Sequence, residues 1–367
     1  MKILKLENIE AIAILSIIVA NKIILNLPKS IISTTGSSAW LNTIYVIIIA
    51  FIFILFMAKL LKKFPGKDII DVSEFVGRKN LKNIVGILYI LFIISMLSIV
   101  IRNFSETLKM IYFNQSPIVY IILFLIAGAC LANKFGIKVI AKATLFIAPI
   151  IFLSLLIILL SPARDFVIQR LFPILGYGFN ETFLLGISNI YALVGLGFIF
   201  LLPPLLKNNK DFKKITLISL SISAFYLLLS ISCLLLIFSF VVDKNESMSP
   251  YLLTLLINYG NFIQGANTLF VLFWILSVIA YISIDLFFIL YIIKKLSAFE
   301  DINSVNYSMS SILLGISMIA QNYSQLISTV ENVLKYALIF FIFMFNPLIL
   351  IIGNIKNRSI LQENNTT

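Results

Sequence analysis

The chain has 367 residues, of which 60% are hydrophobic and 12% charged, with a net charge of +12 and a mean hydropathy of +1.07. Soluble domains carry about 25% charged residues, so this composition excludes an ordinary water-soluble enzyme and points to lipid as the solvent. There is no histidine, and the two cysteines, Cys130 and Cys233, lie inside apolar runs, so neither a disulfide framework nor a His/Cys metal cluster is expected.

A helix needs roughly 20 apolar residues to cross about 30 Å of hydrocarbon. In chain order, such stretches predict spans over 9–28, 39–61, 82–103, 117–133 and 139–160, then 183–206, 214–241, 267–293, 307–327 and 333–354. The expectation is an all-α integral membrane protein of about ten transmembrane helices, in a single polytopic domain with no soluble domain between spans. Met1–Leu6 runs straight into the first apolar stretch without a small-residue cleavage site, so the first helix reads as uncleaved.

The basic residues are sorted by side. Lys2, Lys5, the cluster from Lys59 to Lys82, Lys134, Lys138, Lys142, the cluster from Lys207 to Lys214, Lys294, Lys295, Lys356 and Arg358 fall on one side, 20 of the 28. Seven fall on the other and Lys22 is left inside a span. Lysine and arginine collect in cytoplasmic loops, so both termini are expected in the cytoplasm. The same clustering between apolar runs argues against nucleic acid as the partner of the positive charge.

Ten spans divide into two halves of five, residues 1–160 and 183–354. Membrane folds of this kind are often inverted repeats with a site at mid-depth formed by interrupted helices in matching positions. The leading span of each half is therefore the place to look. In the first, Ala20-Asn21-Lys22-Ile23 puts an amide and an ammonium into an apolar run; in the sixth, Gly195-Leu196-Gly197 precedes Pro203-Pro204. Glycine costs roughly 1 kcal/mol in a helix interior, which favours an opening there, while glycines that let helices approach closely give an equally simple account. A central lysine is expensive in lipid, and such residues face the bundle interior and pair. Asp285 is the acidic residue deepest in a span, so a Lys22–Asp285 ion pair is expected, with Tyr281 and Ser283 near it on the eighth span. Arg102 and Glu106, four residues apart, are expected to form an exposed pair worth a few tenths of a kcal/mol. Ser95 and Ser98 are expected to bond back to helix carbonyls, and Trp40 to sit as an interfacial anchor.

Several stretches, in order along nearly the whole chain, resemble the spore germination receptor B-subunit (GerAB) family, a branch of the amino acid–polyamine–organocation transporter superfamily. They include Leu25-Asn26-Leu27-Pro28, Ala39-Trp40-Leu41, Lys63-Phe64-Pro65-Gly66-Lys67, Asp71-Val72-Ser73-Glu74-Phe75-Val76-Gly77-Arg78 and Arg102-Asn103-Phe104-Ser105-Glu106. Phe135 to Lys142, Pro149, Leu171-Phe172-Pro173-Ile174-Leu175, Leu201-Leu202-Pro203 and Trp274-Ile275 continue the likeness. The resemblance implies a LeuT-like 5+5 inverted repeat with broken helices 1 and 6. It also implies a nutrient-sensing subunit of a germinant receptor in the spore inner membrane, working with an A subunit and a lipoprotein C subunit. Its ligand would be a small nutrient such as an amino acid, bound without chemical conversion and without a cofactor. The chain departs from the family pattern at Asn21-Lys22-Ile23, Leu145, Leu196 and Gln264-Gly265, where the resemblance would place a glycine-containing break, two carboxylates and an acidic–Arg pair. A proton-coupled secondary amino-acid transporter with Asp285 as the titrating group is the alternative, since fold does not settle function. An intramembrane enzyme is not expected, because no nucleophile–base pairing stands at readable spacing.

Overall fold

The structure, a computed structural model, describes residues 5–24, 27–238, 250–255, 266–297, 302–319 and 334–366. These residues contain seven helices long and apolar enough to cross a membrane, and Ile118–Lys134 is a shorter apolar helix beside them. The chain is a multi-pass helical membrane protein.

In chain order the helices are α1 (Asn8–Ile24), α2 (Leu27–Thr35), α3 (Ala39–Leu61), α4 (Ile69–Ile111), α5 (Ile118–Lys134) and α6 (Ile137–Leu160). A π turn, Asn180–Leu184, leads into a 3₁₀-helix over Leu185–Phe200. Then follow α7 (Phe212–Ile237), α8 (Pro250–Leu255), α9 (Ala266–Leu296), α10 (Ile302–Ser317), α11 (Lys335–Phe340) and α12 (Asn346–Thr366). The expected borders hold closely for α3, α5 and α6. Gly136, at φ 80°, turns the chain between α5 and α6, a backbone region that glycine enters without a Cβ penalty.

Of the elements that differ from expectation, two bear most on the bundle. The third span is the far end of a longer segment that kinks at Gly77–Arg78, with Arg78 at φ 58°. Its start is fixed by Asp68, whose Oδ1 accepts from the amides of Ile70 (3.0 Å) and Asp71 (2.9 Å), while Asp71 accepts from the Asp68 amide (3.2 Å). This reciprocal cap satisfies donors that a helix start leaves unpaired. The sixth span is wound as a 3₁₀-helix for 16 residues, although such runs seldom exceed three or four residues. At about 2.0 Å per residue it extends roughly 32 Å, against roughly 24 Å for the same residues as an α-helix, so the tighter winding gives it bilayer length.

Both ends of the bundle are tied by polar contacts. At the basic end, Leu6 and Leu206 form a parallel bridge, Glu10 pairs with Lys138 at 2.6 Å, and Lys295 reaches Asp68 and Asp71 at 2.6 Å each. The Tyr291 hydroxyl donates to the second Asp68 oxygen at 2.6 Å. Burial pushes Asp68 above the usual carboxylate range, the charge of Lys295 pulls it back, and Asp71 pushes it up again. At the opposite end a neutral network joins α2, α3 and the start of the sixth span. The Asn42 amide donates to the carbonyls of Thr182 (2.7 Å) and Gly186 (3.0 Å), and its oxygen accepts from Asn189 (2.9 Å). Ser38 and Thr182 share a hydroxyl contact of 2.7 Å, and Ser37 donates to Pro173 O.

Asn42→Ala removes three hydrogen bonds from a buried network, so it should lower stability by about 1–3 kcal/mol, read as the thermal midpoint of the purified protein in detergent. Lys295→Met leaves burial and Asp71 acting on Asp68 against only the Tyr291 hydroxyl and the capping amides, raising its folded pKa further. A carboxylate with a raised folded value binds its proton more tightly when folded, so its stabilisation is present at low pH and lost as pH rises from the ordinary carboxylate range through the folded value. The variant's midpoint should therefore fall more steeply with rising pH than the wild type's.

Candidate functional site

The site expected at the leading spans lies where α1, the 3₁₀ span and α9 meet. Asn21 shows why α1 carries polar groups without opening. Its side-chain amide donates to Ile17 O in its own helix (3.0 Å) and across to Ser277 O on α9 (3.3 Å). Ala20, Asn21, Lys22 and Ile23 are accordingly helical, and all are buried. The expected interruption at these four residues is not there; the helix runs to Ile24, residues 25 and 26 lie outside the described set, and α2 starts at Leu27 with Pro28 in its first turn.

Span six is likewise uninterrupted at Gly195-Leu196-Gly197; what sets it apart is its winding. The two glycines are places of close approach. A Cβ on Gly195 would stand 3.1 Å from Ile18 and 3.3 Å from Val19 on α1. One on Gly197 would stand 2.3 Å from Ile342 and 2.9 Å from Phe92. Leu196 between them is buried. Small residues serve here to bring membrane helices together.

Lys22 is 6% exposed and Asp285 0%. The expected direct pair between them is not formed: the ion pairs closer than 4.0 Å among the described residues do not include it. The Lys22 Nζ instead lies 3.4 Å from Met96 Sδ and 4.9 Å from the centre of the Tyr191 ring. A ring face attracts a cation without neutralising it. Asp285 is still the acid whose charge acts on Lys22. The axial offset explains the gap, because Ser277 meets Asn21 and Asp285 lies eight residues further along α9, roughly 12 Å at 1.5 Å per residue.

Neither Asp285 oxygen has a hydrogen-bond partner within the protein, and the same holds for the hydroxyls of Tyr281, Ser277 and Ser16, for Asn21 Oδ1 and for Trp274 Nε1. Tyr281 lies beside Asp285, but neither group meets hydrogen-bond geometry with the other. Residues 274, 277, 281 and 285 are three or four apart, which sets them on one face of α9. Buried polar groups are paired in all but a few cases, so a stripe of unpaired ones is a feature to be explained. Tyr191 and Met96, which hold the lysine, were not foreseen; the tyrosine four residues before Gly195 was the available signal.

Other expectations divide. Arg102 and Glu106 pair at 2.7 Å, but with side chains only 5% and 13% exposed; Met318 beyond α10 closes over the arginine at 3.6 Å, so the pair is buried and not exposed. Ser95 bonds to Leu91 O at 2.8 Å, whereas the Ser98 hydroxyl has no partner in the protein. Ser283 bonds to Ile279 O of its own helix, which removes it from the unpaired stripe. Cys130 and Cys233 are free and buried.

Overpacking a filled interface costs typically 1–3 kcal/mol. Gly197→Ala should therefore lower the thermal midpoint in detergent more than Gly195→Ala, whose new methyl meets its neighbours at 3.1 Å and beyond. Equal midpoints would contradict this packing.

Comparison with known proteins agrees with the architecture. A nucleobase-cation-symport-1 family transporter, solved in a closed conformation with bromovinylhydantoin bound, superposes with a TM-score of 0.60 at 11% identity, over 95% of this chain and 78% of that one. At that identity the likeness shows a shared fold. Spore germination protein B2 of Bacillus subtilis (strain 168) is 23% identical over 234 residues, 63% of this chain, and the match spans 64% of that relative's length. A family profile described as "Spore germination protein" matches residues 5–327. With nearly the whole chain matched and a transporter-type helical fold around a buried polar seam, the chain belongs to the spore germination protein family.

Proposed function

We propose that this chain is the nutrient-sensing membrane subunit of a spore germinant receptor. In this reading it has about ten spans in a 5+5 inverted repeat, with the first five within residues 1–160 and the second within 183–354. It sits in the spore inner membrane with both termini in the cytoplasm, and it acts with an A subunit and a lipoprotein C subunit. A small nutrient, of the amino-acid class, binds in the seam of α1, the 3₁₀ span and α9, and its binding shifts the equilibrium between two conformations of the bundle. A ligand does this only through different affinities for the two states.

The observation that carries the reading is the pair of opposite charges, Lys22 and Asp285, buried in one seam without closing on each other. Ionisable groups within spans mark ligand and ion pathways. Helix packing alone gives no reason to keep both. The family and the transporter fold support a membrane protein that handles a small molecule rather than one that transforms it.

The unpaired Asp285 carboxylate also favours a second reading, a proton-coupled secondary amino-acid transporter in which that group takes up and releases the proton. Two measurements separate them. Under the receptor reading, spores carrying Lys22→Met should keep normal levels of the protein and lose the nutrient response by roughly tenfold or more. Proteoliposomes of the wild-type chain should not accumulate labelled amino acids. Robust, proton-gradient-driven accumulation would replace the receptor reading with the transporter.

A further inference from the structure

We infer that the connection between α6 and the sixth span, residues 162–179, is a membrane-seated strap. It lies in the bilayer interface at the end of the bundle opposite the basic one, with its apolar side chains in lipid. This does not depend on what the seam binds.

The connection is folded inside out. From Phe166 to Phe179, only Gln169, Arg170 and Tyr177 carry polar side-chain atoms. Ile168, Phe172, Ile174, Leu175 and Phe179 are between 44% and 67% exposed, in a stretch whose regular structure is two short 3₁₀ turns, Ala163–Asp165 and Ile168–Leu171. Scattered exposed apolar residues are ordinary, whereas a contiguous patch marks a surface that something covers.

The polar groups of the strap bond inward. The Arg170 guanidinium donates to Leu236 O at 3.0 Å and to Ile237 O, so the cation meets the negative end of α7. The Tyr177 amide donates to Thr35 O at 3.4 Å, and its ring covers Gly36, where a Cβ would stand 3.3 Å from it. Other main-chain amides do likewise. Val167 donates to Leu236 O at 3.1 Å, Arg170 to Val167 O and Phe172 to Gln169 O at 3.1 Å each, Gly176 to Pro173 O at 3.0 Å and Gly178 to Leu175 O at 2.8 Å. Pro162 and Pro173 have no N–H to satisfy. Irregular backbone beside hydrocarbon needs its polar groups met within the protein; a loop standing in water has no such need.

An exposed apolar patch fits either lipid or a second protein, and two observations favour lipid. The patch is continuous with the apolar belt of the spans: Ile157 and Leu160 end α6 just before it, Leu184 and Leu185 open the sixth span just after it, and all four are exposed. Protein interfaces carry a polar rim and interspersed hydrogen bonds, whereas the run Phe172-Pro173-Ile174-Leu175 is exposed and wholly apolar. Arg164 and Asp165 stand exposed at the α6 end of the strap, at the level of the headgroups. The bilayer thereby holds the ends of α2 and α7 and the start of the sixth span in register.

The test uses the full chain, one copy per nanodisc of phosphatidylcholine with phosphatidylglycerol. Cys130 and Cys233 are buried; in a Cys130→Ala, Cys233→Ala background, a nitroxide on Ile168→Cys, Ile174→Cys or Phe179→Cys reports one position at a time. Its relaxation by oxygen, which partitions into lipid, is compared with that by a water-soluble nickel chelate. Leu153→Cys on the exposed side of α6 is the lipid reference and Lys210→Cys at the basic end the water reference. All three strap labels should be relaxed more by oxygen than by nickel, as at Leu153, at a depth of about 5–10 Å. Labels relaxed mainly by nickel, as at Lys210, overturn the inference and leave the patch to a protein partner. Labels closed to both reagents overturn it as well, because the patch is then packed within the chain itself. Where a cysteine variant fails to fold, hydroxyl-radical oxidation of the unmodified chain in the same nanodiscs decides. Phe172 and Phe179 should be as little oxidised as Phe146, which is exposed on α6, and strong oxidation of either overturns the inference.

Discussion

Two opposite charges held apart in a medium of low dielectric constrain the middle of this protein. In water their separation would matter little. In the buried interior, where few groups can solvate them, an ammonium and a carboxylate act on each other more strongly than they would in water without closing an ion pair. Around the two groups the chain places a ring face, a thioether and a row of hydroxyls, all polarizable or polar and none charged. The packing of α1 against Gly195 of the sixth span, and the amide contact from Asn21 to α9, hold the three elements together.

The ends of the bundle are built on the opposite rule. At the basic end, each buried carboxylate is closed by a cation or capped by backbone amides. At the other end, threonines, serines and asparagines satisfy one another and nearby carbonyls. Fully satisfied networks rigidify, whereas partly satisfied ones remain responsive. The longest row of unmet polar groups lies along one face of α9, although Trp40 Nε1, Asn133 Oδ1 and Asn354 Oδ1 elsewhere in the bundle are also without a partner.

The fold was largely readable from the residues, because hydropathy in a membrane is a strong constraint: every backbone polar group must be satisfied within its own helix. Lys22 and Asp285 were readable for the same reason, being charges in apolar runs. What did not follow was local geometry. Nothing in Gly195-Leu196-Gly197 distinguishes an opened helix from a close approach; the partner surface decides, and Ile18, Val19, Phe92 and Ile342 come from elsewhere in the chain. Nor could span position alone show whether a lysine reaches its acid, since that turns on the offset between α1 and α9. Arg102 and Glu106 were placed correctly as a pair, but their burial depends on Met318, more than two hundred residues away in sequence.

The winding of the sixth span carries a mechanical corollary. A 3₁₀-helix and an α-helix of the same residues differ in length by about 0.5 Å per residue, so rewinding Leu185–Phe200 would shorten it by roughly 8 Å. Just beyond its far end, past the Pro203–Leu205 turn, the chain is bonded to the segment before α1, Leu6 accepting from Lys207 at 2.9 Å and donating to Leu205 at 2.7 Å. Such a change of pitch would act as a screw, converting a twist along the sixth span into a pull on the segment that leads into α1.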